Sequence, residues 1–348
     1  MIPRKQYASL DVAKFVMAML ILTQHISNEW AHSSGLLHAL FGLGNFAVPF
    51  FFACSGFLFF SKLNTLPKNE HSSYYRSWSL RIGKMYLVWS LIYFCFVLTN
   101  WIIDGNIIEQ FPLYIHRSIV FSTYATIWFL PALWVGVSIC YWLNKKLSLE
   151  CLAFVMLILW GVGNTFGSYA NIMTKIPVVS SFYDWYMDVF ITWRNGVFNG
   201  APYVFLGMLL SLGYGNKTPI LVDLILTAVF GLGFCAEAFF ITRYGFSSAT
   251  DMGFLMLPAI FFMMNFLLKW ELAPRNIFVH MRNLSMLIFL GQRLFLTAIP
   301  SVLPDSVSVS IQQYPQYVIF GLFVILVLVF ALAVEKLSVK CKFLKVLW

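Results

Sequence analysis

The first apolar segment of the chain, residues 7–26, holds three ionisable side chains, Asp11, Lys14 and His25. Ionisable groups are expensive in hydrocarbon, so within a membrane helix they usually face a cavity or a partner and mark a functional site. At about 100° per residue, the eleven residues from Lys14 to His25 make roughly three turns and leave the two side chains about 20° apart. Asp11 falls within about 40° of the same line. One helix face is therefore predicted to carry an acid, a base and an imidazole at different depths, and an imidazole is the usual general base.

Basic residues precede the third apolar segment of the chain, at positions 76, 81 and 84. Arg81 and Lys84 are three residues apart at an expected helix start, so they share a face. Two cations there could hold a phosphate-bearing ligand from the cytoplasm, and Arg76 is assigned to the same ligand. Membrane topology and lipid headgroups explain these residues equally well.

The other unusual polar residues are predicted to lie towards the outer side of the membrane. Trp128 is expected at an interface, where an aromatic belt also explains it. Arg194 and Asn195 face outward and could bind a substrate, although Arg194 could equally be a plain outer anchor. Glu237 lies in an apolar helix and must find a partner or stay protonated. We therefore predict a pair of Glu237 with Arg194 or Arg293, and a substrate-binding role for Trp128, Arg194, Asn195 and Glu237.

The composition is that of a polytopic membrane protein. Of the 348 residues, 60% are hydrophobic and only 11% are charged, with a mean hydropathy of +0.79, whereas globular chains carry about 25% charged residues. The net charge of +9 does not indicate a nucleic-acid partner, because the basic residues lie in short loops between apolar runs. The partner that we predict is the lipid bilayer. His32, His38 and His116 fall in predicted outer loops without ligand spacing, so no metal site is predicted.

The apolar runs predict an all-α membrane bundle of about ten helices in a single domain, residues 1–348, with no appended soluble domain. Since a span needs about 20 mostly apolar residues, the predicted spans are 8–28, 40–61, 82–103, 127–143, 151–168, 196–213, 219–241, 251–268, 284–302 and 317–335. Segment 169–195 is predicted to be a long outer loop with an amphipathic stretch near Phe182 to Ile191.

The basic residues set the orientation of these spans. With the N-terminus inside, four of the 23 basic residues lie outside and two within spans, which leaves 17 on the inner side. This asymmetry places both termini in the cytoplasm, with His25 near the outer surface and Lys14 nearer the inner one.

Four stretches together resemble the acyltransferase-3 family of integral membrane acyltransferases, in order and over nearly the whole chain. They are Leu10-Asp-Val-Ala-Lys14 with ten residues to His25, Val48-Pro-Phe-Phe-Phe-Ala-Cys-Ser-Gly-Phe57, Arg81-x-x-Lys84 ahead of a span, and Trp128-Phe-Leu-Pro-Ala-Leu133.

The resemblance implies an enzyme of the bacterial inner membrane that moves an acyl group, commonly acetyl, from cytoplasmic acetyl-CoA to a sugar or glycan outside. It also implies that Asp11 and His25 are essential, that Lys14 stands where Arg is common, and that Arg81 and Lys84 face the donor. No metal is implied. Lys14 and His25 are roughly 16 Å apart along a helix, a depth that a long, thin pantetheine arm could bridge.

Two departures from the family pattern each remove a histidine. Thr126 and Gln292 stand where relatives often carry histidine. These departures leave His25 without the companion imidazoles of its relatives.

A branch of the same family gives an alternative function. Three features resemble the membrane part of vancomycin-resistance serine racemases, namely Arg194-Asn-Gly, Glu237 and Asp251-Met. That membrane part is thought to supply serine to an attached racemase. The alternative is a permease for a serine-like amino acid, without acyl transfer. A non-catalytic membrane scaffold is a third class, but it would make little use of Lys14 and His25.

Overall fold

The structure, a computed structural model, describes residues 7–31, 42–247 and 251–348. Those residues form helices and connecting turns and contain no strand. The helices of at least eight residues are α1 Ala8–Ile26, α2 Ala47–Leu63, α3 His71–Asp104, α4 Ile107–Val120, α5 Phe129–Leu143, α6 Leu149–Ser168, α7 Pro177–Phe190, α8 Ala201–Ser211, α9 Ile220–Arg243, α10 Met256–Lys269, α11 Asn276–Arg293, α12 Asp305–Gln312 and α13 Gln316–Leu337. His32 and His38 lie outside the described residues.

The helices confirm the predicted membrane bundle. Eight helical segments of the described chain are long and apolar enough to cross a bilayer. Two shorter apolar segments, Gly196–Ser211 and Met256–Lys269, fall at the two remaining predicted positions. The protein is therefore a multi-pass membrane protein.

The start of the helix that contains the third predicted span was predicted wrongly. Helix α3 begins at His71 and runs for 34 residues to Asp104, so Arg81 and Lys84 lie in its interior and not at a helix start. The polar residues before the span continue the helix beyond the apolar part, because nothing in them breaks it. Gly105, with φ of 68°, ends the helix in a left-handed conformation that glycine adopts without strain.

Helix α4 was not predicted. It is too short to span a membrane, and polar residues separate its apolar residues, so they form no continuous apolar run. Ile108, Phe111, Ile115 and Ile119 recur at helical spacing along one exposed face, and Ile108 is 89% exposed. Helix α7 falls where the amphipathic stretch was predicted, and it begins five residues earlier, at Pro177.

Helix α1 is held by neighbours along its whole length. It packs against α11, α2, α10 and α13. Near its start, the Ser9 hydroxyl donates to the Leu267 carbonyl oxygen at 2.6 Å. Beyond its end, the Trp30 indole donates to the Leu296 carbonyl oxygen at 2.9 Å. The side chains of α1 therefore keep a fixed position relative to α10 and α11.

Helices α2 and α8 approach each other closely through small residues. A Cβ added at Gly56 would collide with the backbone at Val204, and one added at Gly207 would collide with the backbone at Ala53. Close contact through Gly56 is the packing role expected of small residues in membrane helices. This contact fixes α2, which lines both of the cavities described next.

Candidate active site

Two cavities lie at opposite ends of α1. The outer cavity, at the end predicted to face outside, has a volume of about 440 Å³. Charged and aromatic residues that line it include His25, Glu29, Arg117, Trp128, Arg194 and Arg293. The inner cavity, at the other end, has a volume of about 490 Å³. Its polar and aromatic lining includes Asp11, Lys14, Tyr74, Arg81, Arg282 and Trp348.

His25 is oriented by an amide on the neighbouring helix α11. Its Nδ1 lies 3.0 Å from Gln292 Oε1. Gln292 is fully buried, and its Nε2 donates to the Phe289 carbonyl oxygen at 3.0 Å, which turns Oε1 towards the histidine. Because Oε1 can only accept, this network assigns the proton to Nδ1 and leaves the lone pair on Nε2. His25 is thereby prepared to accept a proton at Nε2.

For the acyl transfer that the resemblance implies, replacing Gln292 with leucine is expected to slow the reaction by about fivefold, because one orienting hydrogen bond is worth roughly 1 kcal/mol. The side chains have similar size, so the packing of α11 should persist. The measurement is the rate of acyl transfer at saturating donor. Gln292→His, which keeps a side chain able to form hydrogen bonds at this position, should lose less. A rate for Gln292→Leu equal to that of the unaltered protein would contradict the orienting role.

Two arginines that line the outer cavity are each held by a carboxylate. Arg293 forms an ion pair with Glu29, in the turn that follows α1. Arg194 forms an ion pair with Asp251 and lies over Trp128, with its guanidinium carbon 5.0 Å from the ring centroid. Burial and the charge of Arg293 lower the pKa of Arg194 to about 10, so it stays charged at neutral pH. The structure thus brings His25, Trp128 and Arg194 together in one cavity with Glu29 and Asp251, and the predicted roles of the first three stay predictions.

Glu237 has hydrogen-bond partners other than the arginines predicted for it. The Glu237 carboxylate accepts hydrogen bonds from the Tyr169 hydroxyl at 2.8 Å and from the backbone nitrogens of Phe254 and Leu255 at 2.7 and 2.9 Å. The prediction of a pair with Arg194 or Arg293 is wrong, since those arginines bind Asp251 and Glu29. A carboxylate at a helix start is stabilised by the free backbone donors there, and Glu237 stabilises the start of α10 in this way.

Asn195 caps the start of the apolar segment Gly196–Ser211. Its Oδ1 accepts from the backbone nitrogens of Val197 and Phe198 at 2.9 and 3.2 Å, and its Nδ2 donates to the Tyr186 hydroxyl at 2.8 Å. Asparagine is a favoured cap because its side chain satisfies free backbone donors. Asn195 therefore positions the turn that carries Arg194, and a direct contact with substrate stays a prediction.

In the inner cavity, one carboxylate lies between two cations. Asp11 Oδ1 is 3.8 Å from Lys14 Nζ, and Asp11 Oδ2 is 3.9 Å from an Arg282 nitrogen. Arg81 also lines this cavity, and its contact with a donor stays a prediction. Lys84 and Arg76 are exposed on α3 outside the described lining, so only one of these three residues of α3 contributes to the cavity wall.

Asp11 and His25 do not form one catalytic group. Fourteen residues of α1 separate them, which corresponds to roughly 21 Å along the helix. Asp11 is therefore placed to organise the cations of the inner cavity and not to orient the imidazole, a task that belongs to Gln292.

Sequence reasoning missed Arg282, although the sequence contains a signal for it. Arg282 and Arg293 are eleven residues apart on α11, the same spacing as Lys14 and His25 on α1. Since α1 and α11 pack together, both helices carry polar side chains to both cavities, with Lys14 and Arg282 at the inner one and His25 and Arg293 at the outer one. By contrast, nothing in the local pattern pointed to Glu29, and Asp251 was noted only for its resemblance to the racemase branch.

Comparison with known proteins gives a family match and two similar proteins. The sequence model of the acyltransferase-3 family, described as "Acyltransferase domain", matches residues 7–334. Two proteins of Enterococcus faecalis, both named amino-acid racemase, are similar to the chain. One is 26% identical over 284 residues, which cover 78% of this chain and 37% of the relative, and the other is 24% identical over 261 residues, which cover 74% and 36%. The chain thus spans a little over a third of the length of these curated relatives. No solved structure matches the chain significantly.

Proposed function

Because the chain belongs to the acyltransferase-3 family, we propose that it transfers a short acyl group, such as acetyl, from cytoplasmic acyl-CoA to a hydroxyl group of an extracytoplasmic glycan. Membership of the family supports membrane acyltransferase activity in general. The observation that carries the finer proposal is the placement of His25. It offers a free Nε2 in one cavity, on the same helix that supplies Lys14 to the other. We place the protein in the cytoplasmic (inner) membrane of a bacterium.

His25 acts as the general base in the proposed reaction. Its Nε2 takes the proton of the acceptor hydroxyl while the hydroxyl oxygen attacks the thioester carbonyl carbon. The tetrahedral intermediate then collapses, the carbon–sulfur bond breaks, and the leaving thiolate takes the proton from His25. The products are an ester and free coenzyme A, and the histidine returns to its starting state.

Arg293 and Arg194 supply the charge stabilisation that this step needs. Negative charge develops on the carbonyl oxygen, and fixed donors aimed at such an oxygen are often the largest single contribution to catalysis. Both guanidinium groups line the cavity that contains His25. Their carboxylate partners, Glu29 and Asp251, hold them in place before the substrate arrives.

The inner cavity has the chemistry of a donor site. Lys14, Arg81 and Arg282 supply cations for the phosphates of acyl-CoA, and arginine also forms paired hydrogen bonds to phosphate. Tyr74 and Trp78 line the same cavity and could contact an adenine ring. In the proposal, Asp11 holds Lys14 and Arg282 in position.

Replacing Arg282 with glutamine should raise the KM for acetyl-CoA by about tenfold, because a hydrogen bond to a charged group is worth roughly 1.5–3 kcal/mol. The kcat should change little, since Arg282 is far from the reacting atoms. Steady-state kinetics with varied acetyl-CoA measure both constants. Arg275→Gln, at an exposed position just before α11, is the matched control, and an equal effect of the two substitutions would contradict a donor site at Arg282.

The proposed function is tested in cells with and without the gene. Acetyl esters on envelope glycans should fall when the gene is deleted and should return with the intact gene, but not with His25→Ala. The same glycan content in all strains, with the protein present in the membrane, would overturn the proposal.

A serine-like amino-acid permease is the second candidate function. The observation that favours it is the similarity to two proteins named amino-acid racemase. In the outer cavity, Arg194 and Glu29 could contact the carboxylate and the amino group of an amino acid. Vesicles that contain the purified protein should then take up labelled serine without any thioester, and an absence of uptake would exclude this candidate.

A further inference from the structure

Three phenylalanine rings lie between the two cavities. The ring centroids of Phe51 and Phe289 are 5.1 Å apart, those of Phe129 and Phe289 are 5.3 Å apart, and those of Phe51 and Phe129 are 6.1 Å apart. The three residues come from α2, α5 and α11, and their exposed fractions are 6%, 1% and 2%. Each ring thus contacts both of the others within the protein interior.

These three rings form the wall between the outer and inner cavities, because each cavity is lined by at least one of them. Phe289 lines the outer cavity, whereas Phe51 and Phe129 line the inner cavity. We call Phe51, Phe129 and Phe289 the aromatic septum.

The septum is thin. On α2, Pro49 lines the outer cavity and Phe51 the inner one. Trp128 and Phe129 are consecutive residues that line opposite cavities. On α11, Met286 lines the inner cavity and Phe289 the outer one, less than one helical turn away, which is about 5 Å.

The septum is also connected to the proposed base. The carbonyl oxygen of Phe289 accepts the hydrogen bond that orients Gln292, and Gln292 in turn contacts His25. A movement of the Phe289 backbone would therefore change the position of the imidazole. In the proposed function, a thioester arm that enters from the inner cavity must therefore pass this septum to reach His25.

We propose that the aromatic septum separates the donor and acceptor cavities and restricts the acyl group that reaches His25 to a short chain. The proposal rests on the proposed function, since it assumes a donor in the inner cavity. A thioester arm enters by displacing the rings, and the rings enclose it against water. Discrimination between acyl groups follows from their size, because one methylene in an apolar pocket changes selectivity by roughly 10–200-fold.

The selectivity is tested by comparing acetyl-CoA and butyryl-CoA as donors, with envelope glycan from cells that lack the protein as acceptor. Phe51→Ala and Phe289→Leu should each raise the ratio of butyryl to acetyl transfer by about tenfold or more, since they make space for two added methylenes. Phe234→Ala removes an equally buried ring that packs on Phe46, outside the septum, and it should leave the ratio unchanged. An unchanged ratio in both septum variants, with the proteins folded, would overturn the proposed selectivity.

A second measurement is independent of acyl transfer, so it separates failure of the septum from failure of the proposed function. Met286→Cys places a thiol in the inner cavity, and mass spectrometry can locate a label on residue 286. A small, charged, membrane-impermeant thiol reagent added on the outer side should label this cysteine at least about tenfold faster when Phe289→Leu or Phe51→Ala is also present. Reagent on the inner side should label it in every background.

Equal labelling from outside with the septum intact and with it altered would overturn the separation of the cavities. If labelling changes as expected but no protein transfers acetyl from acetyl-CoA, then the septum stands and the proposed function fails.

Discussion

Replacing His25 with alanine is expected to lower the rate of acyl transfer by about 10²- to 10⁴-fold, the usual contribution of a positioned general base. Among the described residues that line the outer cavity, His25 is the only imidazole, and Gln292 beside it cannot accept a proton at neutral pH. The measurement is acetyl transfer from acetyl-CoA by the purified protein, normalised to the amount of folded protein.

The control for this prediction is another histidine on the outer side. His116 is exposed on α4, outside the outer cavity, so His116→Ala should keep the full rate. Retention of most of the activity by His25→Ala, at normal expression, would contradict the assignment of the base.

Arg293→Gln is expected to lower kcat by about 10²-fold or more, the typical cost of removing one donor to a developing oxyanion. Arg293 also pairs with Glu29, so the single substitution leaves a carboxylate without its partner, which could destabilise the fold. The double variant Glu29→Gln, Arg293→Gln removes both charges and should fold while remaining slow. Single-turnover measurements with saturating donor report the chemical step directly.

Two results would contradict this role of Arg293. One is a double variant that regains the unaltered rate, because the arginine would then serve only to neutralise Glu29. The other is an equal loss in Arg243→Gln, which changes an exposed arginine at the far end of α9.

The sequence was sufficient to predict the bundle and the spacing of the polar residues along α1, because both follow from simple periodicity. Apolar runs of membrane length predict helices with few alternatives, since a bilayer requires every backbone group to be paired. The eleven-residue spacing of Lys14 and His25 predicts their common face because helical geometry is regular. The same rule could have identified Arg282 through its spacing from Arg293.

What the sequence could not supply were the contacts between distant segments. Glu237 was predicted to pair with a guanidinium group, but its carboxylate accepts hydrogen bonds from backbone nitrogens at the start of α10 instead. Such donors exist at every helix start, and the sequence does not say which carboxylate lies beside them. Gln292 was noted only as a departure from the family pattern, and its hydrogen bond to His25 depends on how α1 and α11 pack.

The paired helices α1 and α11 suggest why the two halves of the reaction can lie on opposite sides of a membrane. Lys14 of α1 and Arg282 of α11 line the proposed donor cavity, and His25 of α1 and Arg293 of α11 line the proposed acceptor cavity. A bound donor is therefore positioned by the same rigid elements that hold the base. This arrangement requires that the donor and the acceptor approach from different sides.

That requirement is tested most directly by measuring the sidedness of transfer in sealed vesicles. The purified full-length protein is inserted in a known orientation, acetyl-labelled acetyl-CoA is placed on the side of the inner cavity, and envelope glycan is placed on the opposite side. The account predicts that label appears on the glycan across the membrane, that it fails to appear with His25→Ala, and that donor added on the glycan side is not used. Transfer that occurs only when donor and glycan share one side, or that persists with His25→Ala, would contradict the account.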